Sequence, residues 1–391
     1  MQREPAPFEL SAVLRTAGYT PETLQRLLGI AVPDDIGLLN HAPAVERLKH
    51  DRCAAAAMIR LFFLEEAEPA ARCAQTFSRR GCADLVAMGA LRRRGATVRA
   101  RVRIDAVGDQ YYVADRRFSS VDRAALRLPS GDAVYPPSSD SLMLRDAISA
   151  PAARQVLDLC TGSGIQALQV ARAAERVVAV DINPRAAAVA TFNARLNGVS
   201  NIEVRLGDLY APVRGEQFDL VIANPPFVAS PYANAPSYHS GGARGDRVLR
   251  RIIAGLATHL REGGRAFAIT HLAVRGGEDV QSVASAWFGD FPGRALVLVV
   301  ETGTPVDLAA AQALFALDRG LEAYAAEVRR WVQYLRRHRI ERVSALLIAA
   351  ERGGRRGLEV VDAQPRVLPI PLTPALGARI KSWLSSNEIA K

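Results

Sequence analysis

Val156-Leu157-Asp158-Leu159-Cys160-Thr161-Gly162-Ser163-Gly164 is the stretch that decides how this chain folds. Its apolar start reads as a strand, its glycines as a turn. The residues that follow, Ile165-Gln166-Ala167-Leu168-Gln169-Val170-Ala171, place Leu168 and Ala171 on one helical face. Glycine in such a turn lets backbone approach a ligand closely. Strand, glycine turn and helix in succession open a parallel sheet covered on both faces, and the alternation continues to about residue 350. The predicted fold class is therefore α/β, with a doubly wound, Rossmann-like sheet.

Downstream, Arg176 to Asp181 reads as a second strand and Arg185 to Leu196 as a helix, with Asn183 as N-cap, Pro184 at its first position and Gly198 beyond its end. A third strand, Ile202 to Leu206, leads to Gly207-Asp208. The fourth, Phe218 to Ala223, runs into Asn224-Pro225-Pro226-Phe227. Two prolines cannot continue a sheet ladder, so an asparagine is presented at a strand end. After a long polar loop, a helix from Asp246 to Leu260 stops at Gly263-Gly264. Ala266 to Thr270, Ala295 to Val300 and Val343 to Ala350 complete seven strands. Between the last two, Leu321, Tyr324, Ala325, Val328, Trp331, Val332 and Leu335 form an apolar stripe on an inserted helix.

Upstream the texture differs. Helices are expected around Ser11 to Ala17, from Thr20 to Gly29, from Val45 to Glu66 and around Asp84 to Met88. Val98, Ala100, Val102 and Ile104 then alternate with Arg99, Arg101 and Arg103, turn at Gly108-Asp109 and return through Tyr111 and Val113. That reads as a hairpin with one basic face, and helices plus hairpin suggest a winged-helix-like unit. The chain has 391 residues, ample for more than one core, and is 49% hydrophobic. No apolar run approaches the roughly 20 residues that span a bilayer, and the first thirty lack a signal-peptide core, so a cytoplasmic protein without membrane contact is expected. Cys53, Cys73, Cys82 and Cys160 have neither metal-site nor disulfide-framework spacing and are read as reduced, buried thiols, with no metal. The formal charge is +10, but the basic residues are nearly all arginine, which speaks to solubility more than to a ligand.

The glycine turn also satisfies a dinucleotide pattern if Ala167 takes the third position. Against a nicotinamide cofactor stands Asp158, an acid at the mouth of the strand where a pyrophosphate would be repelled. Asp181, ending the second strand, is placed to accept from two ribose hydroxyls, and Asp208 to take an adenine amino group. An adenosyl group with a positive amino-acid tail fits all three acids.

Over roughly Val134 to Ala350 the chain resembles the class I S-adenosylmethionine-dependent methyltransferases. Asn224-Pro225-Pro226-Phe227 is similar to the motif of enzymes that methylate planar nitrogens, among them the release-factor glutamine methyltransferases and several guanine and adenine N-methyltransferases. Tyr135-Pro136-Pro137-Ser138-Ser139-Asp140-Ser141-Leu142 resembles the proline-and-acid segment of the glutamine-modifying group, and Gly241-Gly242-Ala243-Arg244-Gly245-Asp246 its glycine-rich segment. Where that group usually carries Tyr at the last motif position, this chain has Phe227. The resemblance implies S-adenosylmethionine as cofactor, held by Asp158, Thr161, Gly162, Gly164, Asp181, Asn183, Asp208 and Asn224. It implies Asn224, Pro225 and Phe227 at the acceptor, with Tyr238 and His239 in the loop beyond. The expected division is an N-terminal helical and hairpin unit over 1–120, a connecting segment reaching the active site over 121–150, a methyltransferase domain over 151–351 with a helical insertion at 303–338, and a tail over 352–391.

The expected reaction is direct, in-line transfer of methyl to a planar or amine nitrogen. The Asn224 side-chain oxygen and Pro225 carbonyl would accept its hydrogens while Phe227 holds its plane. The alternative is O- or N-methylation of a small metabolite or natural product. A rival of another class is a cofactor-sensing regulator that binds DNA through its N-terminal helices, but a sensor has no need of an acceptor site at Asn224. The inserted helix can reach over the site, which favours a small or extended acceptor over duplex RNA. The N-terminal unit leaves room for a homodimer.

Overall fold

The computed structural model describes residues 7–37, 39–116, 132–148, 153–232, 241–363 and 374–385. Its centre is an eight-stranded sheet. In chain order after the N-terminal strands, labelled β1 to β5 below, the members are β6 (Gln155–Leu159), β7 (Arg176–Asp181), β8 (Ile202–Leu206), β9 (Phe218–Ala223), β10 (Leu260–Arg275), β11 (Gly293–Gly303), β12 (Ile340–Arg352) and β13 (Gly357–Asp362). In space they run β13-β11-β12-β10-β9-β6-β7-β8, and only β12 is antiparallel to its neighbours. The order reverses between β6 and β9, where Leu159 lies beside Ala223. The glycine turn and Asn224 thus leave adjacent strands at one level, the crevice in which open α/β sheets bind ligands.

Seven of these strands are the seven expected; β13 is an addition. It lies in the segment read as a tail and pairs parallel with β11. The Arg352-Gly353-Gly354-Arg355-Arg356-Gly357 run before it hides a strand signal, while positive φ at Gly353 and Gly354 makes the turn.

Helices α6 (Ser139–Ala147), α7 (Ile165–Ala171) and α13 (Pro374–Ser385) contribute to the core on one face of the sheet, and α9 (Arg247–His259) and α10 (Val280–Phe288) to that on the other. Asn183 caps α8 (Pro184–Leu196) as expected, accepting from Arg185 N at 2.9 Å. The insertion is two helices, α11 (Pro305–Ala313) and α12 (Leu321–Arg337), docked on the segment after the fourth-strand motif. Trp331 is 1% exposed there; Leu321, read as part of the apolar stripe, is 76% exposed at the helix start.

The N-terminal region has its own core, from Leu10 to Val113, joined by Leu196 of α8. It contains α1 (Pro7–Thr16), α2 (Pro21–Leu28), α3 (His41–Leu48), α4 (Ala54–Met58) with a π turn at Ile59–Phe63, and α5 (Ala70–Ala87), bent at Ser78. Strands β1 (Ala67–Pro69), β2 (Leu91–Arg94) and β3 (Thr97–Ala100) form a small antiparallel sheet, while β4 (Arg103–Val107) and β5 (Gln110–Ala114) pair separately.

The expected single hairpin is therefore two structures, divided at Arg101-Val102. Arg103 leaves the basic face and is fully buried, paired with Asp105 at 2.8 Å and donating to Phe63 O at 2.9 Å. Alternation assigned it to solvent, but every residue of β4 is buried, so neither face of that strand meets water. The cysteine reading is also corrected: Cys73 and Cys82 are disulfide-bonded across the bend in α5, and Cys53 is exposed.

Two asparagines fasten this region to the sheet domain. Asn193 accepts from Val113 N at 2.9 Å and donates to Val113 O at 2.9 Å and Ser163 O at 2.8 Å. Asn197, one turn on, exchanges the same pair of bonds with Tyr111 at 2.8 Å each. The α8 side chains thus complete the free edge of β5 as a neighbouring strand would.

Candidate active site

The switch point opens into a cavity of about 1000 Å³, lined by the turn after β6, the ends of β7, β8 and β9, the 135–141 segment and the insertion. Three left-handed residues build the turn: Cys160 (φ 59°), Gly162 (φ 55°) and Gly164 (φ 83°). A side chain at Gly164 would press on Ala190 of α8 at 3.3 Å, whereas at Gly162 it would meet nothing within 4 Å. Gly164 is thus set by packing and Gly162 by the open space it faces. A non-glycine residue such as Cys160 in this conformation is strained, as functional turns often are.

Asp158 lies beneath the turn and not on the cavity wall. Its Oδ2 accepts from Thr161 Oγ1 at 2.6 Å and Ala167 N at 3.1 Å, while Oδ1 has no hydrogen-bond partner. Burial raises its pKa to about 7 against the opposing effect of those bonds. The expectation that Asp158 touches a ligand is corrected to support of the turn, because the strand's alternation points it inward.

Asp181 does reach the cavity, accepting from Gly162 N and Asn183 N, each at 2.9 Å; burial raises its pKa, opposed by those amides. Asn183 also lines the space, and its amide donates to Asp132 O at 2.8 Å. Asp208 is already paired, taking both guanidinium bonds of Arg251 at 3.1 and 2.8 Å. Between these acids Ile182 is 61% exposed at the cavity edge, an apolar surface that the core does not use.

On the other side, Asn224 Nδ2 donates to Asp140 Oδ2 at 2.9 Å. Asp140 sits in the first turn of α6, whose opening Ser139 N bonds Asp34 Oδ2 of the N-terminal region at 2.7 Å. Pro225 and Phe227 line the cavity with Asn224, and Phe227 stacks on His271 at 4.4 Å between centroids. Burial lowers the His271 pKa, opposed by the nearby Asp140 charge, so the ring is neutral at pH 7. His271 was missed because it continues an apolar strand and meets Phe227 only through the fold. The glycine-rich segment clamps the motif: a side chain at Gly245 would strike Phe227 O and lie 2.7 Å from His271 O. Beyond the motif, Tyr232 packs edge-on to Trp331 at 6.2 Å, and Gln312 and Tyr334 close the cavity from the insertion. Tyr238 and His239 lie outside the described residues.

An adenosylated sulfonium suits this wall. The Gly162 backbone approaches without a side chain, Ile182 offers a flat apolar contact, and the desolvated Asp181 gains from a nearby cation. The methyltransferase small domain family matches residues 138–276, and a domain of unknown function matches residues 16–101. A Methanocaldococcus jannaschii protein named "Putative protein N5-glutamine methyltransferase" is 33% identical over 150 residues, 37% of this chain and 75% of that one. The release factor glutamine methyltransferase of Xylella fastidiosa is 38% identical over 28% of this chain and 44% of its own length. The chain thus spans less than half of that relative. A Thermus thermophilus 16S rRNA N2 G1207 methyltransferase structure, at 16% identity and a TM-score of 0.36 over 74% of this chain and 64% of that one, is too distant to bear on function.

The chain belongs to the class I S-adenosylmethionine-dependent methyltransferases, in the branch of the methyltransferase small domain and the protein glutamine N-methyltransferases. It is an enzyme of methyl transfer whose cofactor is S-adenosylmethionine. Among the described residues no helix is long and apolar enough to cross a membrane.

Proposed function

We propose that this enzyme methylates a planar amide nitrogen, a glutamine side chain in an extended polypeptide segment, by in-line displacement. The observation that carries the reading is the bond from Asn224 Nδ2 to Asp140 Oδ2, 2.9 Å long. It commits the amide's donor side to Asp140, so Asn224 Oδ1 is the atom left to accept from a substrate N–H. An acceptor amide held there and by Pro225 O would have its plane set against Phe227, itself braced by His271. When bound, S-adenosylmethionine supplies a methyl group already activated by its positive sulfur. What the protein adds is alignment, worth roughly 7–11 kcal/mol at best. Gly162, Asp181, Asn183 and Ile182 are assigned to the cofactor and Asn224, Pro225 and Phe227 to the acceptor. Thr161, Asp158 and Gly164 shape the turn, and Asp208 reaches the adenine side as a pair with Arg251.

A small-molecule acceptor is the second reading, favoured by Gln312 and Tyr334 closing the cavity from the docked insertion. The two divide in one assay: methyl-labelled S-adenosylmethionine offered to a library of glutamine-containing peptides and to small amides. Label fragmenting with the glutamine side chain supports the proposal. Label confined to free small molecules would replace it with the second reading.

A further inference from the structure

Among the described residues two cations line the cavity, Arg247 and Arg251, one turn apart on α9. Arg251 is committed to Asp208. Arg247 is exposed, with no ion pair and no side-chain hydrogen bond among the described residues. Asp246, next to it in the chain, is buried and accepts from Trp287 Nε1 at 3.3 Å. Residues 233–240, which lead into this segment, contain no acid. The helix gives Arg247 no reason to be there either: a cation in a first turn opposes the helix dipole, and this first turn holds no acidic residue. The backbone fixes Arg247 on the acceptor side. Its amide donates to Gly241 O at 3.0 Å, and Gly241 N donates to Val228 O at 3.0 Å, immediately after Phe227. Its stem passes Gly242, where an added Cβ would lie 3.2 Å from Arg247 Cβ and 3.7 Å from Nε, so the missing side chain leaves room for it to reach the cavity.

Four carboxylates line the same cavity, and each already accepts: Asp34 from Ser139 N at 2.7 Å, Asp140 from Asn224 Nδ2, Asp181 from two amides and Asp208 from Arg251. One uncommitted cation in an otherwise acidic wall is matched to a single negative charge. We propose that Arg247 is a specificity-determining residue that binds a carboxylate of the methyl acceptor. In a polypeptide that carboxylate belongs to an acidic residue beside the glutamine; in a small acceptor it is the molecule's own. The guanidinium fork offers it two parallel N–H groups. A nucleic-acid strand is disfavoured, because it brings a charge with every nucleotide against Asp34, Asp140 and Asp181 and finds one partner. The inference rests on the acceptor site proposed at Asn224 and adds the charge of what enters it.

The test pairs binding with transfer. Calorimetry with S-adenosylhomocysteine compares the wild type with Arg247→Gln, Arg247→Lys and Arg247→Glu, the melting temperature controlling for folding. Methyl transfer is then measured to capped pentapeptides whose central glutamine is flanked by glutamate, alanine or lysine, and to N-acetylglutamine and its neutral amide. In whichever set is methylated, the wild type should favour the carboxylate-bearing member roughly tenfold in kcat/KM, the value of one charge-assisted hydrogen bond. Arg247→Gln should abolish that preference, Arg247→Lys keep part of it and Arg247→Glu turn it towards the lysine-flanked peptide. Affinity for S-adenosylhomocysteine should be unaltered in all three. A preference among the peptides places the carboxylate on a neighbouring residue; one among the small amides alone places it on the acceptor itself. Transfer indifferent to the carboxylate, or a preference that survives Arg247→Gln, overturns the inference and leaves the acceptor site standing. A fall in S-adenosylhomocysteine affinity in Arg247→Gln also overturns it, placing Arg247 on the cofactor's own carboxylate. Label in no amide at all would remove the acceptor reading and this inference together.

Discussion

In the proposed reaction Asn224 presents the acceptor and Asp140 positions Asn224, through the one hydrogen bond between them. If Asp140 fixes the Asn224 amide, Asp140→Ala should lower kcat roughly 10- to 150-fold, the value of a bond to a charged acceptor, while calorimetry finds cofactor affinity near wild type. Asp140→Asn, whose oxygen still accepts, should recover part of it; equal losses in both variants would remove the positioning role. Asp158 predicts a pH effect. Its pKa is about 7 in the fold against 3.8 when unperturbed, so between those values the folded state holds the extra proton. Its contribution to stability is therefore greatest in acid and falls as pH rises from about 4 to 7. Asp158→Asn should flatten that part of the melting profile; an identical slope in the variant would contradict the assignment. Much of this was legible in the sequence, because strand ends and glycine turns place Asp181, Gly162 and Asn224 by local rules. His271 was not, since its partner Phe227 arrives from a different strand.

At the scale of elements, period and caps located all seven expected strands, and α8 is bounded by the Asn183-Pro184 start and Gly198 that the sequence offers. Elements whose signal is short or interrupted were missed or merged. β13 follows an arginine-glycine run, α5 bends at Ser78, and a bend at Arg101-Val102 turned one apparent hairpin into two pairings. The glycine-rich segment is where an element dictates the site. Gly245 has φ 83° and its missing side chain makes room for the Phe227 and His271 carbonyls. Gly245→Ala should therefore displace the acceptor motif, cutting turnover sharply and lowering the melting temperature, while cofactor titration still gives a binding isotherm. An active, equally stable variant would show that this segment only passes near the motif.

For the whole molecule, the N-terminal region is hydrogen-bonded to the glycine turn and to the start of α6. Asn193 joins Val113 of β5 to Ser163 in the glycine turn, and Asp34 holds the start of α6 beside Asp140. No local pattern discloses such contacts, which span 80 or more residues in two of these cases. Asn193→Ala leaves buried backbone groups unpaired at roughly 1–3 kcal/mol each and should separate the unfolding of the two regions. Near- and far-ultraviolet circular dichroism should then give different midpoints; a single coincident transition at the wild-type temperature would deny the coupling. The central claim is that one cavity holds S-adenosylmethionine on its β6–β7 side and presents an acceptor nitrogen to Asn224 on the other. Its most direct test is Asn224→Ala, measured in parallel for cofactor affinity by calorimetry and for methyl transfer to the acceptor found in the peptide and small-amide assay. The account predicts near-wild-type affinity with turnover lost; turnover retained, or affinity and turnover lost together, would contradict it.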